Sequence, residues 1–232
     1  ILGLPGAGLA LAAYILTDNL STAMIILGIT VGMVFVAHPD MRPFIVVAVA
    51  GVILIVIGVL FLVVTTKDSD SFRVMRVLVW LQPEKYSDEG GYQTLQALYA
   101  IGSGGLFGRG LGNSIQKLGS VPEAQNDMIF SIICEELGIF GGIFVLILFG
   151  YLLYRLFFIA QNAPDLFGSL IVTGIFIHIA LQVILNIAVV LNLMPNTGVT
   201  LPFISYGGTS ILFLMLEMAI ALSVARQIKF QE

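Results

Sequence analysis

Four stretches of this chain, Phe44–Thr65, Met128–Tyr154, Leu166–Leu193 and Ser205–Ala225, are apolar almost without interruption and long enough to cross a bilayer. About 20 apolar residues in a helix span the ~30 Å hydrocarbon layer. Backbone polar groups find no water there, so an open chain can cross only as helices, which satisfy those groups internally. The Val and Ile richness of Phe44–Thr65 therefore does not make it a strand. Composition agrees: 58% of residues are hydrophobic and 10% are charged, with a mean hydropathy of +1.03, whereas soluble domains carry about 25% charged residues. An integral membrane protein follows. The net charge of -4 argues against nucleic acid, which needs clustered Lys and Arg to neutralise phosphates. Cys134 is the single cysteine; it falls in an apolar run, forms no internal disulfide and reads as a small core residue.

Two shorter apolar runs, Ile1–Leu16 and Ala23–Ala37, flank a polar break at Thr17–Thr22. The break has two readings. It is a discontinuous helix pair lining a cavity at Asp18, since irregular backbone at membrane depth survives only beside protein or water, or it is a tight turn capped by Asp18 or Ser21. Ile1 opens directly in apolar sequence, without Met or a basic leader. The expectation is a chain that lacks its natural N-terminal part, whose first run is the end of a spanning helix.

The expected architecture is all-α, a polytopic membrane bundle of about six spanning helices over 1–232, with one large loop at 66–127. Orientation comes from short loops, where Lys and Arg favour the cytoplasm. Arg42, Arg155, Arg226 and Lys229 lie on one side, while the breaks at Thr17–Thr22 and Met194–Phe203 carry no basic residue. The first side is expected to be cytoplasmic and the large loop extracytoplasmic. The loop's own Lys67, Arg73, Arg76, Lys85, Arg109 and Lys117 do not overturn this, because long loops translocate largely regardless of charge.

Within the loop, FRVMRVLVWLQPEKY predicts a short amphipathic helix ended by Pro83, with Arg73 and Arg76 on one face. Such a helix suits the membrane interface, its arginines directed to phosphates or simply reaching headgroups. Six glycines then fall between Gly102 and Gly112. No GKT or GKS follows, so a nucleotide loop is rejected. A loop folded over the membrane mouth, bringing Arg109 and Lys117 near Asp127, is the economical reading. Asp127 stands where the polar turn of VPEAQNDMIFSIICEELG enters a spanning run. As a residue it is either a helix cap or a functional carboxylate. Glu135 and Glu136, two turns further on, are expected to have a structural role, pairing within the bundle. Burial is expected to keep Glu217 protonated. His178, Gln182 and Asn186 recur on one helix face and are expected to bond neighbouring helices.

Three segments together, YQTLQALYAIGSGGLFGRGLGNS, PEAQNDMIFSIICEELG and NLMPNTGVTLPFISYGGTS, resemble the SEDS family, which includes FtsW, RodA and SpoVE. The ending LFLMLEMAIALSVARQI and the loop wording are most similar to the FtsW branch. Members have about ten spanning helices, so the resemblance implies a chain without the first four. It also implies a peptidoglycan glycosyltransferase of the bacterial cytoplasmic membrane, acting in division, elongation or sporulation. Such an enzyme polymerises lipid II on the extracytoplasmic side, releases undecaprenyl pyrophosphate and works with a class B penicillin-binding protein and other divisome or elongasome proteins. Asp127 in QNDMIFS matches the family's essential acid in HTDFIFA, with Gln125 and Asn126 in place of His and Thr. Asp18 in TDNLSTA matches the acid of PDLGTA, with Pro and Gly lost.

The reaction this implies needs a base for a sugar hydroxyl and positive charge for a departing diphosphate. Asp127 is the candidate base. Arg73, Arg76, Arg109 and Lys117 are candidates for the pyrophosphate, with Glu123 as a neighbouring carboxylate. Asp18 and Ser205 are candidates for lining the cavity. No resident cofactor is expected, although a divalent Mg or Mn ion would suit a diphosphate site. The alternatives are a lipid II flippase, which the break at Asp18 would suit, and a non-catalytic scaffold for division proteins.

Overall fold

The computed structural model describes residues 3–17, 19–38, 72–118 and 121–228. Among them all regular structure is helical. Four helices are long and apolar enough to cross a membrane: α2 (Leu20–Ala37), α5 (Ile129–Asn162), α6 (Leu166–Val190) and α7 (Gly208–Ala225). Before them runs α1 (Gly3–Thr17), which contains a shorter apolar segment, Pro5–Leu16. The sixth expected span, Phe44–Thr65, lies outside the described residues, as do Arg42, Lys67 and Lys229. The chain is a multi-pass membrane protein with an all-α fold.

Small residues set the helix spacing. Helices α1 and α2 form a hairpin in which Gly6 sits so close to Thr30 that a Cβ there would collide with its side chain. Helix α2 then lies antiparallel on α6: Gly32 fits against Ile177, and a Cβ on Gly28 would stand 2.6 Å from Leu181. In lipid there is no hydrophobic drive between helices, so close contact at small residues carries association. The hairpin decides between the two readings of the polar break. Asn19 caps α2, its side chain accepting from Thr22 N at 3.1 Å, so the connection is a tight turn; the capping residue is Asn19, and Asp18 lies outside the described residues.

Helix α5 has 34 residues and is interrupted at Gly138. It turns back through 163–165 into α6, where Ser169 Oγ donates to Ala160 O at 2.8 Å. Helix α6 meets α7 at His178 and Glu217, 2.9 Å apart. The core runs along these helices through Leu156, Val172, Ile179, Val183, Leu214 and Ala221. Phe140, Phe144, Ile147 and Tyr151 of α5 face outward, as lipid-facing residues do.

The segment between the spans is not an irregular loop. It carries α3 (Phe72–Leu81) and α4 (Gly91–Gly104), and the first part of the glycine-rich stretch is helical. Thr94, Ala97, Ala100 and Gly104 form the buried face of α4. Gly104 rests on Cys134 O of α5, where any Cβ would collide. Helix α3 ends before Pro83 as its sequence predicts, but it is not free in the interface. Trp80 Nε1 donates to Asn192 O at 3.1 Å, tying α3 to the turn that follows α6.

Candidate active site

Asp127 is the last residue but one of a run of turns over 121–128, and only 7% of its surface is exposed. It does not cap the helix: α5 starts at Ile129 with Met128 in the capping position and no side-chain bond there. Its place is fixed through its backbone. Asn186, wholly buried, donates from Nδ2 both to Asp127 O at 2.7 Å and to Val199 O at 2.8 Å. Next to this clamp, Ser205 Oγ donates to Asn126 O at 2.6 Å and accepts from Leu201 N at 2.7 Å, and Tyr206 N donates to Gln125 O at 2.8 Å. The acidic turn 121–128 and the uncharged turn 194–206 are thus laced together over the end of α6. Ser205, expected to line the cavity, is instead a buried brace.

The Asp127 carboxylate faces polar groups from three elements. Gln93 of α4 points Nε2 at Asp127 Oδ1 across 3.4 Å and at Pro122 O across 3.2 Å. Asn196 donates to Gln93 Oε1 at 2.9 Å. Arg76 of α3 donates to Asn196 O at 3.2 Å. Burial raises the Asp127 pKa above its ordinary 3.8, and the charge of Glu123 acts in the same direction. A backbone hydrogen bond, the Asn196 side chain and the Arg76 charge oppose the rise without cancelling it. A buried carboxylate raised in this way has the profile of a general base.

Beside the turn lies a cavity of about 580 Å³, rimmed by Lys117, Glu123 and Gln125 and floored by Val121, Ile129 and Ile132. The Asp127 side chain does not line it. Of the expected site residues, Arg76 and Glu123 are brought to Asp127, and Glu123 and Lys117 to the cavity. Arg109 and Lys117 are bound elsewhere than expected: Arg109 Nη1 stands 3.7 Å from Glu135 and Lys117 Nζ 2.6 Å from Glu136. Arg73 belongs to α3, but its side chain lies outside the described residues.

The two glutamates pair with the loop rather than within the bundle. Glu135, fully buried, accepts from Ser114 Oγ at 2.5 Å, Ile115 N at 3.2 Å and Gln116 N at 3.3 Å. Glu136 accepts from Gly112 N at 3.0 Å as well as from Lys117. Directly after them α5 breaks: Gly138 has φ 71° and ψ -171°. The groups freed by the break are taken up by the glycine-rich loop. Arg109 N and Gly110 N donate to Glu135 O and Glu136 O, both at 2.9 Å, while Ile139 N and Phe140 N donate to Gly105 O and Leu106 O at 2.9 and 3.3 Å. The discontinuous helix considered for Asp18 occurs here instead. Its sequence signal is the pairing of a glycine in an apolar run, Gly138, with a glycine cluster about thirty residues earlier.

Sequence reasoning missed Gln93 and Asn196. Gln93 is one of two glutamines in GYQTLQALYA, and only the structure separates the one that reaches Asp127. Asn196, between Pro195 and Thr197 in a charge-free turn, is the more legible of the two.

Fold and site define a polytopic helical membrane protein with a buried acid at one end of its bundle. The sequence profile of the FtsW, RodA and SpoVE family, described as cell cycle protein, matches residues 4–230, and the chain belongs to that family. Stage V sporulation protein E of Bacillus subtilis (strain 168) is 40% identical over 229 residues, covering 97% of this chain and 60% of that protein. The probable peptidoglycan glycosyltransferase FtsW of the same strain is 42% identical over 186 residues, 80% of this chain and 46% of that one. A solved peptidoglycan synthase complex, described as coordinating polymerization and crosslinking, superposes with a TM-score of 0.73 at 29% identity, covering 97% of this chain and 62% of its own. The rod shape determining protein RodA of Thermus thermophilus gives 0.58 at 27% identity, over 99% of this chain and 56% of its own. The chain spans about half to three fifths of the length of these relatives.

Proposed function

We propose that this chain carries the catalytic end of a peptidoglycan glycosyltransferase that polymerises lipid II on the extracytoplasmic face of a bacterial cytoplasmic membrane. The observation that carries the reading is Asp127: a buried carboxylate of raised pKa, outside the spanning segments, acted on by the Arg76 charge and carried by a turn whose Glu123 and Gln125 line a cavity. Curated relatives named peptidoglycan glycosyltransferase support it. So does the placement of the basic residues Arg155, in the last turns of α5, and Arg226, just after α7, at the end opposite the site.

In this reading the Asp127 carboxylate takes the proton of the attacking sugar hydroxyl. The oxygen bonds to the anomeric carbon of the second sugar, whose bond to the lipid diphosphate breaks with the electron pair going to the diphosphate oxygen. A positioned carboxylate contributes about 10²–10⁴-fold to such a step. Arg76 offers planar donors matched to phosphate oxygens, and Lys117 adds charge at the cavity rim. Among the described residues no three acids, histidines or cysteines gather at one point. A divalent ion would come with the diphosphate, and Glu123 is the carboxylate at the cavity rim that could meet it. The partner in this reading is a class B penicillin-binding protein that cross-links the product; the similar synthase complex, described as coordinating polymerization and crosslinking, supports a cross-linking partner.

The test is polymerisation of labelled lipid II by the full-length protein with its penicillin-binding partner, comparing wild type with Asp127→Asn at matched expression. Loss of glycan strands with lipid II still bound supports the base assignment. Undiminished polymerisation removes it, and inactive wild type that moves lipid II between leaflets makes the protein a flippase.

A further inference from the structure

We infer that Gln93 is a positioning residue for Asp127, and that Asn196 fixes the way the Gln93 amide faces. The inference rests on the reading of Asp127 as a base, and on a chain of bonds whose two ends are backbone groups. At one end Gly198 N–H, which can only donate, points at Asn196 Oδ1 across 2.9 Å. Asn196 must then present its NH₂ to Gln93, and Gln93 Oε1 accepts it at 2.9 Å. At the other end Pro122 O, which can only accept, faces Gln93 Nε2 at 3.2 Å. Amide orientations are ordinarily assigned from the surrounding network. Here both ends of the network demand the same one, and it leaves Gln93 with an N–H directed at Asp127 Oδ1, 3.4 Å away.

The consequence is chemical. A donor on one carboxylate oxygen favours the ionised form and turns the carboxyl group to a fixed angle, so that the other oxygen is the one available to a hydroxyl. The charged groups acting on Asp127 are Glu123, which opposes ionisation, and Arg76, which favours it. Gln93 is uncharged and adds its effect without bringing a charge into the site. Gln93 and Asn196 come from α4 and the 194–206 turn, so the carboxyl angle is set only when both have packed around 121–128.

The test uses the full-length protein with its penicillin-binding partner and two measurements. In the pH profile of polymerisation at saturating lipid II, Gln93→Leu moves the acid limb to higher pH by roughly half to one unit, the size of one long hydrogen bond to a charge. Asn196→Leu, which removes both the partner of Gln93 and the bond of Asn196 to Asp127 itself, moves it in the same direction. An acid limb that stays in place, whatever happens to the rate, overturns the inference. The second measurement is infrared titration of the Asp127 carboxyl, read as the difference from Asp127→Asn, and it does not depend on activity. A shifted midpoint together with an Asp127→Asn protein that still polymerises upholds the role of Gln93 while removing the base assignment; an unshifted midpoint overturns the inference in either case. If Gln93→Leu does not fold, Gln93→Glu sets a second acid against Asp127 and must raise the midpoint as well.

Discussion

Asp127 pays for its position in stability, and the sign of that effect is testable. Its folded pKa is raised above 3.8, so the folded protein holds the proton more tightly than the unfolded chain does. Stability from this group is complete below the unfolded value and is lost as pH rises through the folded one. Asp127→Asn, which keeps the shape without the charge, is expected to melt higher than wild type at pH 7. The gap should narrow as pH falls and close below the unfolded value of 3.8, where the carboxyl is protonated in both the folded and the unfolded state; thermal unfolding in detergent at pH 7 and in that acid range checks it. Asn186 gives a second prediction, of opposite sign. Asn186→Leu leaves two buried carbonyls, Asp127 O and Val199 O, without their donor, and is expected to destabilise by about 1–3 kcal/mol per orphaned group. Asp127 and Arg76 were legible in the sequence because charge at the edge of an apolar run has few explanations. Gln93 was not, because a glutamine in an amphipathic helix has many.

At the scale of elements, the spans were readable from apolar length alone, and α3 from its two arginines and Pro83. The break in α5 was not. Mean apolarity runs straight through Gly138, and a single glycine in a long helix is ordinarily only a weak spot. What singles it out is a loop elsewhere in the chain that supplies the missing hydrogen bonds. Two substitutions in the same stretch separate these cases. Gly108 has φ 77°, and a Cβ there would collide with Glu136 O, so Gly108→Ala is expected to lower both the melting temperature and the yield of folded protein. Gly102, within α4, has nothing within 4 Å of its missing Cβ. Gly102→Ala is expected to be neutral or to stabilise by up to about 1 kcal/mol. Equal effects at the two sites would mean that close approach to α5 is not what the glycines are for.

For the whole molecule, the bundle was legible as a class, while its internal wiring came from polar residues whose partners lie far away in sequence. His178 and Asn186, one helical stripe, turn out to serve different ends: His178 ties α6 to Glu217 of α7, and Asn186 holds the site. The helix tie predicts non-additivity. His178→Leu strands a carboxylate among apolar helices and should destabilise more than the double change His178→Leu with Glu217→Leu, which removes the need for a partner; detergent unfolding of the set of variants measures it. The latch at Gly138 bears on synthesis as well as on the finished fold. Residues 105–110 leave the ribosome before residues 135–140, yet their backbone partners are Glu135, Glu136, Ile139 and Phe140. A nascent chain halted short of residue 135 carries that loop with nothing to close on, open to an added protease. Cleavage there should cease only in chains long enough to have delivered Phe140, so that the segment made first is among the last to become fixed.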